Sequence, residues 1–179
     1  MGKKRSFGIS LITILFLLLF QKPFTPPPSP ITHANNSSIS QQATILKVVD
    51  GDTIHVMILG KKETVRIIGI NTPETVDPRR PVECFGNEAS DKAKQLLENQ
   101  MVFLETDPTQ GDKDKYQRLL RYVRYDNGTK DFGAEMISTG YAYEYTYNTP
   151  YKNQVSYKEL QKRAEKDNRG LWSSTTCKK

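Results

Sequence analysis

Residues 44–59 read TILKVVDGDTIHVMIL, two β-branched-rich runs on either side of Asp50-Gly51-Asp52. Short runs of this composition around an Asp-Gly pair are a strand–turn–strand signal. A third run follows through Gly60-Lys61-Lys62, with TVRIIGI at Thr64–Ile70. Three short strands joined by tight turns make an antiparallel meander, and the rest of the chain must cover it.

Outward from the meander, Asn87–Asn99 carries Ala89, Ala93, Leu96 and Leu97 on one helical face. Met101–Glu105 (MVFLE) and Leu119–Tyr125 (LLRYVRY) read as a fourth and a fifth strand, the latter ending at the turn signal Asn127-Gly128. A short helix is expected over Phe132–Thr139, stopped at Gly140. The spacing Ser156-Tyr-Lys-Glu159 matches a capping box, which would start a last helix with Tyr157, Leu160 and Ala164 as its apolar stripe. Gly170 ends that helix, and Leu171-Trp172 is expected to tuck back onto the core. Five strands with a helix before the last two, and about three helices in all, predict an α+β fold built on a five-stranded OB-type barrel.

Of 179 residues, 26% are charged and 36% hydrophobic, which excludes a disordered acidic chain and a multi-span membrane protein. The net charge of +6 is uneven: Lys3, Lys4, Arg5 and Lys22 supply +4 of it, leaving +2 on residues 35–179. Bulk charge therefore says little about a polyanionic partner. Lys3-Lys4-Arg5 followed by the fourteen uncharged residues Phe7–Phe20 fits a signal peptide, with a small-x-small site at Thr32-His33-Ala34. Five prolines within Gln21–Pro30 leave a second reading open, an uncleaved anchor on a Pro-rich stalk. Either reading puts the remainder outside the cytoplasm, secreted or membrane-anchored and facing outward. The expected organisation is 1–34 as signal or anchor, 35–42 as a flexible lead-in, 43–173 as one folded domain and 174–179 as a tail. In an exported chain the two cysteines, Cys84 and Cys177, are expected to form a disulfide. Closing so long a loop stabilises the fold by about 4–5 kcal/mol in the chain-entropy model.

The charged residues that break the strand pattern are the candidates for chemistry. Asp52 begins the second strand just past the glycine, where its carboxylate can face a barrel end. Arg66 sits mid-strand with apolar residues on both faces, so a partner must hold it, because an unpaired buried charge is very costly. Asn71-Thr72-Pro73-Glu74 ends that strand in a rigid turn, and Asp114-Lys115-Tyr116-Gln117-Arg118 opens another strand with polar side chains. Arginine forks grip phosphate oxygens bidentately, and Asp52 with further oxygens suits a hard divalent ion. No Cys/His cluster favours zinc, since His33 lies in the signal region and His55 is alone. No Ser-His-Asp pattern and no phosphate-cradling glycine loop occur. Phosphodiester hydrolysis leads among the activities these residues allow. A non-catalytic nucleic-acid or protein-binding barrel and a surface adhesion domain also remain open.

Five segments in order carry a resemblance: VVDGDT (Val48–Thr53), VRIIGINTPET (Val65–Thr75), VECFGNEAS (Val82–Ser90), DKYQRLLRYV (Asp114–Val123) and GLW (Gly170–Trp172). The chain resembles the staphylococcal nuclease (thermonuclease) family of secreted calcium-dependent nucleases from Ala43 to Trp172. That likeness implies the same barrel and cleavage of DNA or RNA to leave 3′-phosphate ends; nothing in the sequence suggests more than a monomer. It implies Ca2+ held by Asp52, Asn71 and the Thr72 carbonyl, phosphate gripped by Arg66 and Arg118, and water oriented or deprotonated by Glu74. Lys115 and Tyr116 resemble the pair at the nucleotide's terminal phosphate, and Tyr145 and Tyr147 the tyrosines of the nucleotide pocket, in a stretch that Tyr141, Tyr143 and Tyr151 also crowd. Asn71 departs from the pattern, standing where the family's best-known member has a second metal-binding aspartate. The site loses one negative charge, so weaker calcium binding is expected.

Overall fold

The computed structural model describes Gly2 and residues 40–177. The expected signal or anchor features at residues 3–34 lie outside the described residues. Among the described residues no helix is long and apolar enough to cross a membrane.

Strands β1 (Ser40–Val48), β2 (Thr53–Ile58) and β3 (Lys61–Ile67) form the expected antiparallel meander. Strand β5 (Met101–Glu105) pairs with β1 and with β6 (Leu119–Tyr125), and β6 closes the sheet by pairing in parallel with β3. The result is a closed five-stranded barrel, which leaves no long open edge. Alternation drives it: Ile54, Val56 and Val65 are fully buried, as are Val102 and Val123 from the other strands. The register of β1 slips between Ile45 and Lys47, so Leu46 is an extra residue and remains 45% exposed.

Among the described residues three helices pack around the barrel: α1 (Gly86–Leu97), α2 (Phe132–Ser138) and α3 (Gln154–Lys166). Ala89, Ala93 and Leu97 form the buried face of α1. The side chain of Asp131 caps α2 by accepting from the Ala134 N–H at 3.1 Å. Two-residue strands β4 (Ile70–Asn71) and β8 (Tyr143–Glu144) make a separate antiparallel ladder, and β7 (Lys130–Asp131) extends β6. Gly140, just past α2, and Gly170 have positive φ, and a Cβ on Gly140 would fall 2.3 Å from the Arg169 carbonyl oxygen. Only glycine permits this approach, which lets the Leu171 N–H donate to the Gly140 carbonyl at 2.9 Å and docks the 3-10 turn Gly170–Trp172.

Several boundaries differ from expectation for local reasons. The lead-in is not flexible to residue 42, because Ser40–Gln42 already pair with Phe103–Glu105. The third strand ends at Ile67 rather than Ile70: Gly69 takes a left-handed conformation, and the Arg66 guanidinium fills the turn, donating to the carbonyls of Ile67 (2.9 Å) and Ile70 (2.8 Å). Ser156 does not cap the last helix. The Lys152 and Asn153 N–H groups are tied to Asp107 (2.8 Å) and the Tyr122 hydroxyl (3.3 Å), so α3 starts three residues earlier with Asn153 at its cap. Within the expected tail, Cys177 is bonded to Cys84 as anticipated, with a Cα–Cα distance of 5.9 Å.

Candidate active site

The turn from β1 to β2 is a hairpin turn and something more. Asp50 Oδ1 accepts the Asp52 N–H at 3.0 Å, which shapes the turn. Asp52 is 6% exposed. Its Oδ1 accepts from the Thr53 hydroxyl (3.0 Å), and its Oδ2 accepts from the Thr72 N–H (3.0 Å) and hydroxyl (3.3 Å). The same Oδ2 lies 3.2 Å from Arg66 Nη2. Arg66 also donates to Asn71 Oδ1 at 3.1 Å. The partner that a buried strand arginine requires is thus Asp52, with Asn71 closing the group. Burial first, and then the charge of Asp52, push the Asp50 carboxyl up to about 6. Two acids crowded beside one guanidinium leave negative charge in need of a further positive partner.

Among the described residues no cluster of three or more His, Cys, Asp or Glu side chains is placed to hold a metal ion. The nearby donors are the carboxylates of Asp50 and Asp52, the Asn71 amide oxygen and the Thr72 carbonyl. All are hard oxygen ligands, a set that suits Ca2+ rather than a thiophilic ion.

Arg66 and Asn71 open onto a cleft of about 580 Å3, walled by Lys115, Tyr116, Arg118, Tyr145 and Tyr147 and floored by Ile67, Ile68 and Leu120. Arg118 is held by Asp114, with Nε and Nη2 both 2.7 Å from Oδ2. Asp114 Oδ1 accepts the N–H groups of Tyr116 and Arg118, each at 2.9 Å. Burial works against its charge, yet the backbone and guanidinium of Arg118 hold the Asp114 carboxyl below the usual range. The Arg118 guanidinium and the Lys115 ammonium both lie over the Tyr116 ring, at 5.3 and 5.0 Å from its centroid. Residues 114–118 form a tight turn rather than a strand start, with the Gln117 N–H donating to the Asp114 carbonyl and Gln117 at φ 65°.

The crowded tyrosines sort themselves in space. Tyr145 and Tyr147 stand in the cleft, 42% and 63% exposed, with ring centroids 6.4 Å apart. Tyr151 is buried and donates to Glu144 and the Gly69 carbonyl. Tyr141 packs on Phe85, and Tyr143 meets Trp172 edge-on. His55, on the barrel wall, bonds Thr64 across the strands at 3.0 Å.

Glu74 is not bonded to the Asp52–Arg66 group. Its Oε1 accepts three N–H groups of its own loop, from Thr75 (2.8 Å), Val76 (2.7 Å) and Asp77 (3.1 Å). Its Oε2 faces Arg80 Nη2 at 3.9 Å. Asp50 and Gln110 were not singled out from the sequence, although the first lies in the DGD turn and the second lines the cleft.

An OB-type barrel with a cationic, tyrosine-walled cleft beside paired aspartates is an arrangement for handling a phosphodiester chain. The model of the staphylococcal nuclease homologue family matches residues 64–174. The chain is 36% identical over 173 residues to the thermonuclease of Staphylococcus hyicus, covering 96% of this chain and 99% of that protein. It is 34% identical over 171 residues to the thermonuclease of Staphylococcus intermedius, covering 95% and 98%. With endonuclease YncB of Bacillus subtilis it shares 36% identity over 159 residues, 87% of this chain and 70% of that protein. The chain belongs to the staphylococcal nuclease family. It is a hydrolytic nuclease with a nucleic-acid substrate, and the binding-module and adhesion readings give way.

Proposed function

We propose that this nuclease is exported, requires calcium, and cleaves DNA and RNA to leave 3′-phosphate ends. The observation that carries the reading is the buried Asp52–Arg66–Asn71 group opening directly onto the cleft that holds Arg118. Asp52, Asn71 and the Thr72 carbonyl would hold the ion, with Asp50 beside them. Bound there, calcium supplies Lewis-acid polarisation of a phosphate oxygen.

The chain's own residues account for the remaining steps. Arg66 and Arg118 bind the scissile phosphate and stabilise the charge that grows on its oxygens in the five-coordinate transition state. Lys115 pairs with a neighbouring phosphate, while Tyr116, Tyr145 and Tyr147 offer rings to a base or sugar. Glu74, with Oε1 tied to its loop, has Oε2 to orient a water and take its proton, a role worth about 10²–10⁴-fold for a positioned general base. Water attacks phosphorus in line, the P–O5′ bond breaks, and the 5′-oxygen leaves and is protonated. The choice of that bond rests on resemblance to the family. Export is supported by the hydrophobic run Phe7–Phe20 and by the disulfide. A monomer is proposed because no feature of the sequence calls for a second copy.

Asn71→Asp tests the ligand assignment. The added charge should lower the calcium concentration for half-maximal cleavage by on the order of tenfold. Aspartate retains the oxygen that Arg66 bonds, so the group itself should persist. An unchanged calcium requirement would remove Asn71 from the ligand set.

A further inference from the structure

We infer that the Cys84–Cys177 disulfide positions the loop bearing Glu74, so that turnover depends on the oxidation state of this pair. The inference rests on the role proposed above for Glu74.

The loop closes at its neck through a reciprocal pair. The Glu83 N–H donates to the Glu74 carbonyl (2.9 Å), and the Glu74 N–H donates to Glu83 Oε2 (3.0 Å). Arg80 spans it, 3.4 Å from both Asp77 Oδ2 and Glu83 Oε1. Residues 78–84 are all exposed. Exposed ion pairs of this kind hold a loop only weakly. Two firmer attachments remain. One is the start of α1, where a Cβ on Gly86 would lie 2.7 Å from Thr75 Cγ2 and 3.2 Å from the Glu74 carbonyl oxygen. The other is the disulfide, at the residue next to Glu83.

What the disulfide fastens to is itself anchored. Leu171 is buried, its N–H bonds the Gly140 carbonyl, and the Trp172 ring meets Tyr143 edge-on at 5.3 Å. Tyr143 pairs with Asn71 in the β4–β8 ladder. The bridge therefore ties the neck of the Glu74 loop to the segment that backs Asn71. Cys84 is exposed, so a thiolate can reach it.

Reduction by a dithiol transfers two electrons and two protons to the bridge, leaving two thiols and the dithiol as its own cyclic disulfide. The loop neck then loses one of its two firm attachments and is held by the packing of Gly86 and by weak polar ties. Misplacing a catalytic group by about 1 Å can cost 10²-fold, so kcat should fall by about 10–100-fold. KM should hold, because Arg66, Lys115, Tyr116 and Arg118 belong to the barrel and the 114–118 turn. The nuclease would then reach full turnover only where thiols oxidise.

The test compares the full chain oxidised, reduced with dithiothreitol, and reoxidised, by kcat and KM on single-stranded DNA and by amide hydrogen exchange. On reduction, the Thr75, Val76, Asp77 and Glu83 amides should lose protection while Val56 and Val65 in the barrel keep theirs. Reoxidation should restore both kcat and protection. A Cys84→Ser/Cys177→Ser variant should match the reduced chain and ignore dithiothreitol. Unchanged kcat on reduction, or unchanged exchange at residues 75–77, would overturn the proposal, as would loss of barrel protection in step with the loop. An oxidised Glu74→Gln variant that cleaves at the wild-type rate would instead remove the premise, separating the two failures.

Discussion

Arg118→Ala is expected to cut turnover about a thousandfold, in the range reported for lost electrostatic stabilisers of a transition state, while leaving the fold intact. Both halves of that expectation follow from its surroundings. The Arg118 side chain is 29% exposed, and among the described residues its ion-pair partner is Asp114 in the same turn. An ion pair so placed contributes at most about 1 kcal/mol. Asp114 would still accept the N–H groups of Tyr116 and Arg118, so the turn survives truncation. The catalytic loss arises because charge grows on the phosphate oxygens during attack, and a fixed guanidinium meets it without reorganising. The fall should appear in kcat, with thermal unfolding close to that of the unmodified chain. Near-normal turnover would remove Arg118 from the phosphate site.

Arg66→Ala should cause a comparable loss of turnover, but with a second cost that Arg118 does not carry. Arg66 is 14% exposed at its side chain and serves four acceptors: Asp52, Asn71 and the carbonyls of Ile67 and Ile70. Truncation strands a carboxylate that is itself 9% exposed at the side chain and two carbonyls at a strand end. Breaking a buried pair from one side typically costs about 3–5 kcal/mol. Urea unfolding should therefore show a large drop in midpoint with little change in slope. Lysine at this position would keep the charge but not the fork, and should recover only part of either loss. Unaltered stability in Arg66→Ala would mean that the Asp52–Arg66 group does not hold the turns together.

How far these properties could be read from the sequence depended on how local their causes were. Strand runs and the isolated charge at Arg66 are local, and both pointed correctly to a barrel and to a buried partner. The identity of that partner was set by a hairpin that pairs Thr53 with Arg66 in register, which brings the neighbouring Asp52 within reach of the guanidinium. The ends of elements were less legible. Ser156-Tyr-Lys-Glu159 has the capping spacing, yet Asn153 begins the helix because Asp107 and Tyr122, far back in the chain, bind the turn before it. Strands β4 and β8 are two residues each, too short for any alternation to register. The tyrosines could not be sorted by spacing, since positions 141, 143, 145 and 147 alternate alike. The ladder of Asn71 with Tyr143 and the bond from Tyr145 to the Gly69 carbonyl place one ring against Trp172 and the next in the cleft. The closure of the Glu74 loop depends on Glu83, nine residues on, and no motif announces it.

Cleavage of single-stranded DNA by the purified chain, with calcium or with excess chelator, beside a Glu74→Gln variant, tests the central claim most directly. The expected result is cleavage that calcium supports and chelation abolishes, leaves 3′-phosphate ends, and falls at least a hundredfold in the variant. Cleavage that persists in chelator, or a Glu74→Gln variant as active as the unmodified chain, would contradict it.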